Sequence, residues 1–228
     1  MVYRSPCSGE EYTAYIEPLV GHYRHPYAIP ACKPPGVPQA GIESRDYVLF
    51  GGLSKEQFSK AYPGKKYLFD LGTAAFKTSI PWFQQRLREY GHEFEEIWAW
   101  EVKIQEPKKY WGAVPEKVVD TLHFYNVPVG SKNDSASNPL NIIRKRYRPG
   151  DYIFVKLDID NSPLELSFID QIRRDPQLIS MISEMSFEMH YYSPYMEKWF
   201  GKPDKRWIDV ITTMTTLRQM GLRIHFWP

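Results

Sequence analysis

The feature that most constrains this chain is a strand, turn, helix and strand pattern between Tyr67 and Glu101. Its first part, Tyr67–Gly72, is an apolar run that ends in an acid and a glycine, as in a buried strand that enters a tight turn. The segment 79–90 carries apolar residues at helical spacing. The apolar run 96–101 then predicts a second strand with an acid at its end. The pattern therefore predicts a βαβ unit.

The rest of the chain continues the alternation of strands and helices. Further strands are predicted at 123–130, 151–160, 186–191 and 222–227, and helices at 139–147, 164–174 and 203–220. Because Pro128 cannot donate a ladder hydrogen bond, either the first of these strands lies at an edge of the sheet or Pro128 lies at the end of the strand. The alternation predicts an α/β fold, a Rossmann-like doubly wound and mostly parallel sheet of about six to seven strands.

The first 60 residues differ from the rest in composition. They are rich in proline, tyrosine and glycine, with the run Lys33–Pro38 as the densest stretch. Such a composition excludes a long regular helix or a central strand. We expect residues 1–60 to be an irregular segment, either a lid over the domain or a tail, and residues 61–228 to be the Rossmann-like domain.

Bulk properties exclude some classes of protein. A net charge of +2 over 228 residues gives no reason to expect a nucleic-acid partner. The sequence shows neither a signal peptide nor a membrane span, so a cytoplasmic location is the default expectation. Cys7 and Cys32 can pair in an exported protein or stay reduced in the cytosol. The sequence does not indicate an oligomeric state.

Polar side chains collect where the predicted strands end. In open α/β sheets ligands bind beyond the carboxyl ends of the strands, and these ends share one edge. The residues that this rule brings together are Asp70, Gly72, Glu101, Ser131, Asp158, Asp160, His190 and His225. We therefore expect the functional site at this edge.

Two pairs of residues at this edge suggest chemistry. Asp158 and Asp160 are two positions apart on a predicted strand, as are Glu188 and His190, so each pair is expected on one face. With His225, these carboxylates and imidazoles suit Mg²⁺, Mn²⁺ or Zn²⁺, and the predicted metal ligands are Asp158, Glu188, His190 and His225. Alternatively, the catalytic residues are Asp158, Asp160 and His190, with His190 as general base. A structural network, in which Lys156 neutralises an acid, is the third interpretation.

The order of these pieces resembles the S-adenosylmethionine-dependent methyltransferases, especially the FkbM-like branch. Phe69–Thr73 looks like the family's first-strand motif, with an acid and a glycine at the cofactor turn. Tyr125–Gly130 looks like its third strand, and Phe154–Asp160 is similar to its fourth-strand motif, a lysine followed by two spaced acids. Phe187–His190 also resembles the strand that follows. The resemblance covers about residues 65 to 228 and implies a class I methyltransferase type of fold.

The resemblance implies S-adenosylmethionine as cofactor and a small molecule or sugar hydroxyl as acceptor. By position, Asp70, Gly72 and Thr73 would approach the amino-acid end of the cofactor, Glu101 the ribose, and Ser131 and Asp134 the adenine. The chain departs from the family pattern in two places. Its turn keeps a single glycine, Gly72, and Asp160 stands where a glutamate followed by glycine is usual.

Two other classes of function are compatible with the same residues. An apolar strand followed by Asp158-Ile159-Asp160 also fits the D-x-D motif of metal-dependent glycosyl transferases, or another metal-using enzyme. The reduced glycine turn favours a third possibility, a non-catalytic domain that keeps the fold and binds a partner.

Overall fold

The structure is a computed structural model. It describes residues 2–4, 11–13, 48, 53–132, 135–194 and 197–227. Cys7, Cys32, Asp134 and most of the segment predicted as a lid or tail lie outside the described residues.

The strands and helices alternate along the chain from residue 55 onward. The strands are β1 (Val2–Arg4), β2 (Glu11–Thr13), β3 (Lys66–Leu71), β4 (Glu96–Trp100), β5 (Leu122–Tyr125), β6 (Tyr152–Leu157), β7 (Glu184–Phe187) and β8 (Ile224–Phe226). The helices are α1 (Lys55–Ala61), α2 (Ile80–Glu89), α3 (Pro107–Trp111), α4 (Glu116–Val119), α5 (Pro139–Arg146), α6 (Ser162–Arg174), α7 (Pro176–Met181), α8 (Glu197–Phe200) and α9 (Trp207–Gln219).

Strands β3 to β8 form one six-stranded sheet in the order β5-β4-β3-β6-β7-β8, and every pair in it is parallel. The chain moves outward from β3 to β5, then returns to pair β6 with β3 and moves outward on the other side. This order confirms the predicted Rossmann-like doubly wound fold, and the point of reversal lies between β3 and β6. Strand β5 lies at an edge of the sheet, and Pro128 lies beyond its last residue, Tyr125. Strands β1 and β2 form a separate antiparallel pair.

Both faces of the sheet are apolar at its centre, so helices cover both. All six residues of β3 and all six of β6 are buried, as expected of parallel strands with helices on either side. Alternate residues enter different cores: Phe69 packs in a cluster with residues of α5, α6 and α9, and Leu68 packs in a second cluster with residues of α1 and α2. Burial on both faces fixes the strand positions that support the site.

Several predicted boundaries differ from the observed ones. Strand β5 ends at Tyr125, because the Asn126 amide turns to the loop after β4. Strand β7 covers Glu184–Phe187 instead of 186–191, so the residues after Phe187 lie beyond the ladder. Helix α1 spans residue 60, where the sequence predicts the start of the domain, and its Phe58 is buried in the second cluster; the division of the chain stays a prediction.

Candidate functional site

A cleft of about 530 Å³ opens at the carboxyl ends of β3, β4 and β6, which is the switch point of the sheet. We call it the switch-point cleft. Its wall is formed by Gly72, Ala74, Trp100, Glu101, Val102, Lys103, Gln105, Pro128, Val129, Asp158, Ile159, Asp160, Asn161 and Leu164. Of the predicted site residues, the cleft therefore contains Gly72, Glu101, Asp158 and Asp160.

The turn after β3 packs directly against the end of β6. Gly72 has φ +88°, and a Cβ atom built on it would lie 1.6 Å from the Asp158 carbonyl oxygen. The backbone N–H groups of Gly72 and Thr73 both donate to the Trp100 carbonyl at 3.0 Å. The Thr73 side chain is fully buried, and the described residues supply no partner for its hydroxyl. The glycine is thus required by packing, whatever the cleft binds.

Asp70 lies inside the protein and not in the cleft wall. Its register partner on β6 is Lys156, whose Nζ lies 3.3 Å from Asp70 Oδ1. On the other side, the Ser79 hydroxyl donates to Asp70 Oδ2 at 2.5 Å, at the start of α2. The carboxylate therefore ties β3, β6 and α2 together, and its predicted contact with a cofactor remains a prediction.

Lys156 also holds Asp158. Its Nζ lies 2.9 Å from Asp158 Oδ2 and donates to the Gly72 carbonyl at 3.0 Å. Burial disfavours the ammonium, but the Asp158 and Asp70 carboxylates outweigh burial and raise the pKa of Lys156. For Asp158, burial acts to raise the pKa, but the Lys156 charge, the hydrogen bonds to Glu188 and Lys156 and the nearby His190 together outweigh burial, so the pKa is lowered. The ion pair that the structural interpretation predicted is present.

Glu101 stands at the end of β4 in the cleft wall. Its Oε1 accepts from the Lys103 N–H at 2.6 Å. The loop that carries both residues is held by Asn126, whose Nδ2 donates to the Glu101 carbonyl at 2.7 Å and whose Oδ1 accepts from the Gln105 N–H at 2.7 Å. The predicted adenine contact Ser131 is outside the wall, and its carbonyl accepts from Gln171 Nε2 at 2.5 Å.

Three side chains converge beside the cleft. Atoms of Asp160, Glu188 and His190 that can bind a metal all lie within 4.8 Å of one another. His190 Nε2 is 3.8 Å from Asp160 Oδ1 and 3.8 Å from Glu188 Oε2. Burial, followed by the nearby Asp158 charge, raises the pKa of Glu188 well above its usual range. The protonated Glu188 carboxyl is the donor in its side-chain hydrogen bond to the Asp158 carboxylate. We call Asp160, Glu188 and His190 the acid–histidine cluster.

The cluster differs from the predicted metal ligands. Strand β6 ends at Leu157, so Asp158 and Asp160 do not lie on a strand as predicted: Asp158 pairs with Lys156, and Asp160, with φ +54°, reaches His190. His225 is not brought to the cluster either. It lies within β8, and its Nε2 is 3.7 Å from Glu184 Oε1.

Glu165 is a member of this region that sequence reasoning missed. It lies in the first turn of α6, is almost fully buried, and accepts from the Ile159 N–H at 2.9 Å through Oε1. Its Oε2 is buried without a hydrogen-bond partner among the described residues. Burial raises the pKa of Glu165 to about 7. An acid in a first helical turn is common, so the sequence offers no separate signal for it.

A second cleft of about 500 Å³ adjoins the first. We call it the lysine cleft; it is lined by Asp160, Asn161, Ser162, Pro163, His190, Lys202, Pro203, Asp204 and Lys205. Asp160 and Asn161 line both clefts. A groove of about 550 Å³ between α6 and α9 is similar in size, but its wall is mainly leucine and threonine, and its Asp170 and Arg173 are paired at 2.8 Å. The chemistry is concentrated where the two clefts meet.

Comparisons of the chain with models of protein families, with curated proteins and with solved structures found no match. Within the described ranges, none of the helices combines the length and the apolar composition that crossing a bilayer requires. The fold and the geometry of the carboxyl edge are therefore the observations from which a function is inferred.

Proposed function

We propose that the protein is an S-adenosylmethionine-dependent O-methyltransferase that binds its cofactor in the switch-point cleft. The observation that carries this proposal is the position of the cleft. It lies where the strand order reverses, and Glu101 stands in its wall at the end of the second strand of the βαβ unit. In this position, a carboxylate can accept hydrogen bonds from the ribose hydroxyls. Glu101 Oε2, for which the described residues supply no donor, is the oxygen that would do so.

The charge of the wall supports a cationic ligand over a phosphate-bearing one. Asp158 is paired with Lys156. The other charged residues of the wall are two acids, Glu101 and Asp160, and one base, Lys103. Such a wall attracts a sulfonium and repels a pyrophosphate. The turn after β3 also has one glycine in place of the several that let a backbone approach phosphates. S-adenosylmethionine, which has no phosphate, meets both conditions.

The neighbouring lysine cleft supplies a place for the acceptor. Asp160 lines both clefts, so an acceptor hydroxyl beside Asp160 and His190 can reach a methyl group held in the switch-point cleft. In the reaction the oxygen bonds to the methyl carbon, the carbon–sulfur bond breaks, and its electron pair stays on sulfur. The hydroxyl proton must leave, and without a bound ion we assign His190 of the cleft wall as the base, with Asp160 at 3.8 Å stabilising the imidazolium.

The other proposals have less support from this geometry. A D-x-D glycosyl transferase needs both acids for a metal and a nucleotide, whereas the Asp158 carboxylate is held by Lys156. A non-catalytic domain remains the interpretation if no cofactor binds.

A thermal-shift titration with S-adenosylhomocysteine tests the proposal. At about 100 times its dissociation constant the ligand should stabilise the protein by about 2.7 kcal/mol. Glu101→Gln should bind about tenfold or more weakly, because charge-assisted hydrogen bonds to the ribose are lost while the amide oxygen still accepts from Lys103. Glu116→Gln, the same change on exposed α4, is the control and should bind as the unmodified protein does. Absence of a shift at millimolar ligand, or equal binding by the two variants, would count against this cofactor site.

A further inference from the structure

We propose that Asp160, Glu188 and His190 bind a divalent cation at the junction of the switch-point cleft and the lysine cleft. The three residues offer two carboxylates and one imidazole from different parts of the chain. Asp160 follows β6, and Glu188 and His190 follow β7, so the parallel ends of two neighbouring strands bring the ligands together. Binding of the ion itself does not depend on the proposed methyl transfer.

The spacing of the ligand atoms suits a metal. Two ligands that lie about 2.1 Å from an ion in tetrahedral geometry are separated by about 3.4 Å. The observed separations from His190 Nε2 are 3.8 Å to Asp160 Oδ1 and 3.8 Å to Glu188 Oε2. Small rotations of the side chains would close this gap. Asp160, whose side chain is 75% exposed, is the ligand that can move most easily.

A second observation is a buried carboxyl group beside the cluster. Glu165 interacts electrostatically with His190, Asp158 and Asp160, and its Oε2 is buried without a hydrogen-bond partner among the described residues. The buried ammonium of Lys156 is already engaged by Asp70 and Asp158, and Glu165 and Glu188 are two further acids buried beside the cluster. Buried acids are costly unless they are paired or coordinate a metal. A divalent cation in the cluster would stabilise the carboxylates of both residues.

The ligand types indicate which ions should bind. Calcium and magnesium prefer sites made of oxygen atoms, whereas an imidazole with carboxylates suits Mn²⁺, Fe²⁺ or Zn²⁺. Three protein ligands leave coordination positions for another molecule, and the two clefts meet there. If the proposed function holds, an acceptor hydroxyl would occupy one position, lose its proton to water more readily, and attack the methyl group as an alkoxide. His190 would then be a ligand and not the base.

A calorimetric titration of chelator-treated protein with MnCl₂ alone tests the site. We expect saturable binding with one ion per chain, seen independently as loss of the free Mn²⁺ signal in electron paramagnetic resonance. Asp160→Asn should weaken binding about tenfold or more, and asparagine tolerates the positive φ of this position. Asp204→Asn is the matched control, because it is an 85% exposed acid of the same lysine cleft outside the cluster, and should bind as the unmodified protein does.

A substitution at a buried ligand provides a second test of the site. His190→Gln should also lose binding, and far-UV circular dichroism must show that it remains folded; if it does not fold, Asp160→Asn and its control decide. Absence of saturable binding up to about 1 mM, or equal weakening by Asp160→Asn and Asp204→Asn, would overturn the site. Because no cofactor is present in this titration, its failure leaves the S-adenosylhomocysteine test unaffected, and the reverse also holds.

Discussion

Gly72→Ala is expected to destabilise the fold by about 3–5 kcal/mol, since it combines a positive-φ penalty with overpacking against a rigid neighbour. The new Cβ would lie 1.6 Å from the Asp158 carbonyl oxygen, which is backbone and cannot move aside without disturbing β6. Urea denaturation followed by circular dichroism measures the effect. A variant that expresses as insoluble protein would agree with this expectation.

Gly91→Ala separates the two contributions. Gly91 has φ +84°, almost the same as Gly72, but a Cβ atom there would meet nothing within 4 Å. We expect a cost of about 1–2 kcal/mol, from backbone conformation alone. Equal losses in the two variants would contradict the close approach of the turn to β6. The comparison also means that loss of ligand binding in a Gly72 variant would not by itself identify a cofactor site.

Lys156→Met should cost about 3–5 kcal/mol, because it leaves buried carboxylates without their cation. Methionine preserves much of the volume but removes the ion pairs with Asp70 and Asp158 and the hydrogen bond to the Gly72 carbonyl. The free energy of unfolding in urea is the measurement. Adding Asp70→Asn to Lys156→Met should recover part of the loss, because the fully buried charge is then removed.

Lys202→Met is the control for this experiment. Lys202 is ion-paired with Glu197 at 3.1 Å but is largely exposed, so its removal should leave the free energy of unfolding unchanged within the error of the urea titration. A loss below about 1 kcal/mol in Lys156→Met would mean that the buried pairs do not hold the carboxyl edge together.

The fold could be predicted because its signals are local. The apolar run of β3 and the helical spacing of apolar residues in α2 are each visible within a few residues of sequence. The alternation of strands and helices then allows few topologies. The ends of β5 and β7 were predicted too late. Residues after Phe187, such as Met189 and Tyr191, are buried and apolar in pattern although they have left the ladder. A hydrophobic pattern indicates which residues are buried, but not which of them form the hydrogen bonds of the sheet.

The site was predicted less well because it depends on register. Asp70 was expected at the open edge, but its register opposite Lys156 makes it an internal pair. His225 of β8 lies opposite Ser186 of β7. Its imidazole therefore lies near Glu184 and not in the acid–histidine cluster. No spacing within one strand reveals which residue of a neighbouring strand lies opposite.

Glu101, Asp160 and His190 were predicted at the carboxyl edge, and the structure brings them to the two clefts. The rule that strand ends share one edge of the sheet needs only the strand order, so it also places residues of the loops that follow the strands. The partner of Asp160 was not predictable, because the turn after Leu157 and its positive φ at Asp160 take that carboxylate away from Asp158. Glu165 approaches the same place from a helix, whose packing angle the sequence does not contain.

The most direct test of the central claim is a calorimetric titration of three proteins with S-adenosylhomocysteine. Val102→Trp puts a bulky ring into the wall of the switch-point cleft at a 61% exposed position, and Ile104→Trp makes the same kind of change two residues away, 91% exposed and outside the wall. We predict that the unmodified protein and Ile104→Trp bind alike and that Val102→Trp binds about tenfold or more weakly, a loss of about 1.4 kcal/mol. Absence of binding by the unmodified protein, or equal binding by all three, would contradict a cofactor site in this cleft.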